Sequence, residues 1–181
     1  MSAGNEAGHV TGTAAAGGRR LGQLEIESLL PHRGHALFLG AATVEGPRGT
    51  AVVYWDAAHP HLAGHFPGLP IVPGVFFIEA IAQLGGVVLA SAAAAVDEMS
   101  AKLGTLASVR RALMHTPVRA GEPVSFEVVV SRVGASELFL VQGTGIDSRR
   151  KKVATVEVVI AVIDRKTAEA EYAVGSKARV E

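Results

Sequence analysis

Apolar side chains fall into two regimes along this chain. From residue 71 to residue 96 they are almost continuous, broken before Asp97 by Glu79, Gln83 and Ser91. Pro73-Gly74 opens that run, and its length predicts one helix over residues 74–94, ~30 Å long at 1.5 Å per residue. Further on, the period switches to that of strands. Residues 102–113, 123–133, 136–146 and 152–163 read as strands, separated by turn sequences such as Ala120-Gly121-Glu122 and Asp147-Ser148-Arg149-Arg150-Lys151. Ahead of the helix, residues 24–30 predict a short amphipathic helix stopped by Pro31. Residues 36–44 and 50–56 predict a hairpin about Gly46-Pro47-Arg48-Gly49, and a loop dense in His, Pro and Gly fills 57–73.

A helix that is apolar on every face has to be wrapped on every side. An antiparallel sheet of about six strands curled round it does this, and a second copy of the chain completes the cover, which predicts a dimeric α+β fold. The ends look peripheral. Residues 1–20 are mostly Ala, Gly, Ser and Thr and read as a tail, 21–163 as the domain, and the charged, aperiodic 164–181 as a second tail or a loosely docked strand. The long helix has the length of a membrane span, but Pro73-Gly74, Gly85-Gly86 and an ionisable Glu79 interrupt it and no basic cluster flanks it. No apolar stretch precedes a cleavage-like site near the start. The expectation is a buried helix in a cytoplasmic protein, with no membrane partner.

Composition narrows the functions. Seventeen basic and seventeen acidic residues cancel, against the basic excess of a nucleic-acid binder. The absence of cysteine excludes a disulfide framework, a thiolate zinc site and a cysteine nucleophile. Aromatics make up only 5% while there are 21 glycines, so Val, Ala, Leu and Ile fill the core and backbones can approach closely.

Three features of the 58–83 segment carry candidate chemistry. His65 lies between Gly64 and Phe66-Pro67-Gly68, where Pro constrains the backbone and Gly frees it. Gly74 opens the helix, where free N–H groups and the positive dipole end can hold a developing oxyanion. Glu79 sits near the second turn with Gln83 one turn later on the same face. A carboxyl taken out of water tends to hold its proton near neutrality, and imidazole is the natural base there. Such a set suits proton abstraction beside a carbonyl and protonation of a leaving hydroxyl: elimination of water from a 3-hydroxyacyl group. Singly, each residue has a plainer reading, His65 as a turn residue and Glu79 as an Arg partner or backbone cap. His59, His61 and His65 have metal-like spacing but no carboxylate or cysteine beside them, so no metal is expected. Arg149-Arg150-Lys151-Lys152 reads most simply as a solvated turn; it, or Arg110-Arg111-Arg119, is also a candidate docking patch for an acidic carrier protein.

Gly64-His65-Phe66-Pro67-Gly68, Pro70, Pro73-Gly74-Val75, Glu79-Ala80 and Ala82-Gln83 resemble the signature of the (3R)-hydroxyacyl-acyl carrier protein dehydratases. The Glu at 79 resembles the Z-type branch; the A-type dehydratase–isomerases place Asp there. Leu30-Pro31-His32-Arg33 and Pro117-Val118 extend the likeness over residues 24–162. The resemblance implies a hotdog fold and an active site at a dimer interface, with His65 from one protomer and Glu79 from the other. It gives His65 the α-proton, Glu79 the departing hydroxyl, the Gly74 N–H the thioester carbonyl, and Gln83 the ordering of Glu79 or its water; Phe66 and Val75 fall against the substrate. It implies no cofactor, an acyl carrier protein as partner, and a homodimer, with higher or heterodimeric assembly left open. The chain departs from the pattern at Gly34 and Leu62, where the family places rings, at Gly40, where Asp is common, and before Pro117, where basic residues give way to Leu113-Met114-His115-Thr116. These changes bear on gating, chain length and carrier docking, so a specialised polyketide or polyene pathway stands beside fatty-acid synthesis. A hotdog thioesterase and an inactive subunit of a heterodimeric dehydratase are the competing readings.

Overall fold

A computed structural model describes residues 17–92 and 101–172. Seven strands form one sheet in the order β1-β2-β3-β5-β6-β7-β4: β1 Arg19–Gly22, β2 Ala41–Glu45, β3 Arg48–Val53, β4 Lys102–Met114, β5 Val124–Arg132, β6 Leu138–Asp147 and β7 Lys152–Asp164. Every pairing is antiparallel. Among the described residues four α-helices accompany them: α1 Gln23–Leu29, α2 Pro60–Ala63, α3 Gly74–Ser91 and α4 Arg165–Tyr172.

The long helix is α3, and it lies against β3, β5, β6 and β7. Phe77, Ala80, Ile81, Leu84, Val87 and Val88 face the sheet and are buried. On β5 the alternation puts Val124, Phe126, Val128 and Val130 underneath them. Glycine sets how close the two layers come. A Cβ on Gly85 of α3 would lie 2.6 Å from Val141 Cγ2 of β6, and a Cβ on Gly143 of β6 would lie 2.6 Å from Ile81 Cγ2 of α3. Each layer thus offers a hole to the other's branched side chain. By length and composition α3 could cross a bilayer; here its apolar face is spent on the sheet. Residues 93 and 94, the end of the expected helix, lie outside the described residues.

Four elements differ from the sequence expectation. Helix α2, Pro60–Ala63, falls inside 57–73, read as loop: Pro60 sits in its first turn and His59 Nδ1 accepts from His61 N. Residues 36–40 are not a strand: a 3-10 turn spans Gly34–Ala36 and β2 starts only at Ala41. The buried Gln83 amide takes the Ala36 carbonyl and the Phe38 N–H, so those groups are unavailable to a ladder. Leu39 still reaches the core and Phe38 packs on Phe76, with ring centroids 4.9 Å apart. The apolar run is a core loop pinned by a side chain.

Strand β1 adds a seventh strand and begins at Arg19, inside the segment read as tail. Only Leu21 of its four residues is buried, too little for an alternating signal. Helix α4 occupies 165–172, where a tail or docked strand is expected. Asp164 Oδ1 accepts from Lys166 N at 3.0 Å and Thr167 N at 3.2 Å, a cap at its start. None of its residues is buried, which is why it has no apolar period. Residues 1–16 and 173–181 of the expected tails are outside the described residues.

The β6–β7 hairpin is closed by a buried acid. Asp147 Oδ1 accepts from the backbone N–H of Lys151 at 2.8 Å and of Arg149 at 2.9 Å, and Oδ2 accepts from the Arg149 guanidinium. The Lys151 N–H is the largest cause holding this carboxyl below its ordinary value of 3.8, with the Arg149 groups adding to it against desolvation.

Two outcomes follow from this packing. Gly85→Ala and Gly143→Ala each lower stability by about 1–3 kcal/mol, read as a reduced denaturant midpoint. Gly40→Ala, whose added methyl meets nothing within 4 Å, stays within about 0.5 kcal/mol. The folded Asp147 value is depressed, so its stabilisation is fully present above 3.8 and is lost as pH falls from there through the folded value. Asp147→Asn therefore melts lower than wild type near neutrality, and the gap narrows in thermal scans taken into strong acid.

Candidate active site

The loop holding His65 is folded by its own sequence. Phe66-Pro67-Gly68-Leu69 forms a turn closed by Leu69 N donating to Phe66 O at 2.9 Å, with Gly68 at φ +78; Pro second and Gly third are what a type II turn requires. The exit of the loop is tied to the segment after β4. Val72 N donates to Val118 O at 2.9 Å and Ala120 N to Pro70 O at 2.8 Å.

His65 Nδ1 lies 3.1 Å from the Ile71 carbonyl oxygen. A carbonyl only accepts, so Nδ1 carries the hydrogen and Nε2 presents its lone pair. The ring packs on Phe66 in a tilted contact, 4.1 Å between centroids and 44° between planes. Phe66 is 50% exposed and Val75, on the first turn of α3, is 65% exposed. Gly74 begins α3, where backbone N–H groups have no partner within the helix. A Cβ on it would lie 3.1 Å from Met114 Cγ.

Glu79 occupies a different environment. Its Oε1 accepts from Gln83 Nε2 at 2.8 Å and lies 3.4 Å from His32 Nε2. Gln83 is 2% exposed and uses both ends of its amide: Nε2 also donates to Ala36 O at 2.7 Å, and Oε1 accepts from Phe38 N at 2.9 Å. A flipped amide would set oxygen against two oxygens, so the orientation is fixed. The Glu79 side chain keeps 40% of its surface exposed. Burial expected from the apolar run is thus incomplete within one chain, because Glu79 lines a cavity between α3, the segment 29–32 and strands β4 and β7.

A cavity of about 100 Å³ adjoins Glu79. Glu79, Gln83 and His32 form its polar end; Ala82, Gly86 and Leu89 carry the same face of α3 onward, with Leu30 and Leu106 among its walls. His65, Phe66, Gly74 and Val75 are not in its lining. The structure therefore joins Glu79 to Gln83 and His65 to Phe66, but shows no contact between the two pairs. The contact that residue-type reasoning missed is His32 on Glu79; the signal was present in Leu30-Pro31-His32-Arg33. His59 is not grouped with His65. It packs in edge contacts with His35 and Phe76, and its Nδ1 accepts from His61 N. Among the described residues no three His, Asp or Glu groups are placed to hold a metal ion.

Gln83→Leu leaves the Phe38 N–H and the Ala36 carbonyl without their partner. Urea unfolding should show a loss of about 2 kcal/mol, several times that of a surface Gln→Leu change.

Residues 48–167 match the FabA-like domain family. A 3-hydroxyacyl-acyl carrier protein dehydratase of a Nitratiruptor species is 32% identical over 148 residues, covering 78% of this chain and 97% of that one. Among solved structures, the dehydratase heterocomplex ApeI:P of Xenorhabdus doucetiae superposes with TM-score 0.63 at 16% identity, over 81% of this chain and 95% of that one. A hot-dog-like protein of Thermanaerovibrio acidaminovorans superposes with TM-score 0.56 at 18% identity, over 70% and 87%. The sheet wrapped on α3 is thus a hotdog fold. By the match over residues 48–167 and the near-full-length relative, the chain belongs to the FabA-like domain family and, with the dehydratases in it, to the hydro-lyases.

Proposed function

We propose that this enzyme removes water from carrier-bound 3-hydroxyacyl thioesters to give trans-2-enoyl thioesters, and that it does so as a dimer in the cytoplasm. One observation carries the reading: a basic Nε2 and a carboxyl at the mouth of an apolar cavity lie on separate uncovered surfaces of one chain. The apolar surface between copies is available. Phe66, Leu69, Val75, Val109, Leu113 and Met114 are exposed, and β4 is a sheet edge paired on one side only, with β7. A long, exposed, apolar edge strand is a template for pairing. A second copy docked there brings its Glu79 to the His65 of the first.

The chemistry then balances without a further reagent. His65 Nε2 takes the proton α to the thioester. The N–H at Gly74 polarises the thioester carbonyl while negative charge develops on it. The carbon–oxygen bond at the β position breaks, Glu79 gives its proton to the departing hydroxyl, and water leaves as the double bond forms. The thioester itself acidifies the α-carbon, so the scheme calls for no cofactor. Gln83 holds the acid, while Phe66 and Val75 line the approach of the carrier-bound arm.

His65→Ala and Glu79→Gln each lower enoyl formation by about 10²–10⁴-fold, followed by mass spectrometry of the carrier species. Refolding the two inactive variants together restores a measurable fraction of activity, because each mixed dimer holds one intact site. Release of free acid in place of enoyl product would mark a thioesterase, and no turnover by the purified chain alone would mark a dependent subunit.

A further inference from the structure

We propose that His32 is a positioning residue for Glu79. Together with Gln83 it fixes Oε1 as the accepting oxygen of the carboxyl and leaves Oε2 to carry the transferable proton. The inference rests on the dehydratase reading for its catalytic consequence, but its geometry stands independently.

Two nitrogen groups converge on one oxygen. Gln83 Nε2 donates to Glu79 Oε1 at 2.8 Å, and His32 Nε2 faces the same atom at 3.4 Å. The other ring nitrogen, Nδ1, is shielded from water and has no partner among the described residues. The hydrogen of the ring therefore belongs on Nε2, the nitrogen that faces the carboxyl at 3.4 Å. With Gln83 donating to Oε1 and His32 Nε2 facing it at 3.4 Å, a proton on that oxygen would compete with both. Oε2 is the oxygen free to hold it.

The segment bearing His32 is tied down around the acid. Arg33 donates to the carbonyls of Leu30, His32 and Glu27 at 2.7, 2.6 and 2.7 Å, which anchors the segment to the end of α1. On the other side Gln83 grips Ala36 and Phe38. Pro31 restricts the backbone just before His32. When Oε2–H passes its proton to the leaving hydroxyl, the carboxylate that forms already has the His32 and Gln83 N–H groups in place. Donors aimed at charge that develops during the reaction lower the barrier to it.

The test has a spectroscopic arm and a kinetic arm, both on the full chain. Long-range proton–nitrogen NMR of the histidine rings should show His32 as the Nε2–H tautomer. Its Nε2 signal should move in Glu79→Ala and stay in place in His65→Ala. An Nδ1–H tautomer, or a signal indifferent to Glu79→Ala, overturns the proposal whatever the enzyme's activity. In turnover, His32→Ala lowers kcat about ten-fold with KM within about two-fold, and His32→Gln, which restores a donor, recovers most of the loss. In a Glu79→Gln background His32→Ala has no further effect on residual kcat. A loss confined to KM, or a His32→Gln no better than His32→Ala at unchanged melting temperature, also overturns it. If wild type forms no enoyl product, the dehydratase reading fails while the NMR arm still decides the contact.

Discussion

The close approach of α3 to the sheet is the constraint on which the other features depend. Gly85 takes Val141 from the sheet, and Gly143 takes Ile81 from the helix. A methyl at either point would push the layers apart, since neither contact is the loose end of a long side chain. Close contact keeps Phe77, Ile81, Leu84 and Val87 dry, and it fixes the rotation of α3 about its axis. With that rotation set, Glu79, Ala82, Gly86 and Leu89 line the cavity that α3 shares with Leu30 and with strands β4 and β7. The few rings gather toward the start of α3, where Trp55, Phe76, Phe77 and Phe126 pack on one another, and small and branched side chains fill the layer around Gly85 and Gly143.

Inside this apolar interface stands one polar peg. Gln83 is the only buried uncharged polar side chain in the described core, and an unpaired amide there would be costly. It is satisfied by a loop carbonyl, a loop N–H and the acid one turn away. The same side chain therefore folds residues 36–38 onto α3 and orients Glu79. Stability of the loop and placement of the acid are one arrangement, which joins the N-terminal segment to the chemistry although more than 40 residues separate them.

The His65 ring is placed by other means. His65 is held by a local turn and one backbone carbonyl, and so owes little to α3. Glu79 on a helix and His65 on a stapled loop, on different surfaces of one chain, suit the proposed active site shared between copies. The exposed edge of β4 and the apolar residues beside His65 are where such a second copy would sit.

How much of this could be read without coordinates differs element by element. The helix, the four later strands and the residues 65, 74, 79 and 83 followed from the apolar run, the turn sequences and the family-like spacing. These signals are local: each depends on neighbours within a turn or a pleat. The strand expected over 36–44 was wrong in its first half because apolar content does not say whether the backbone is paired to a strand or to a distant side chain. Strand β1 and helix α4 were missed because they bury one residue and none, respectively, and periodicity registers only what is buried. That Gln83 also pins residues 36–38, that His32 meets Glu79, and that His65 and Glu79 make no contact within one chain were decided by tertiary structure alone. They depend on the direction in which the sheet carries α3 past segments remote in sequence, and no spacing along the chain encodes that direction.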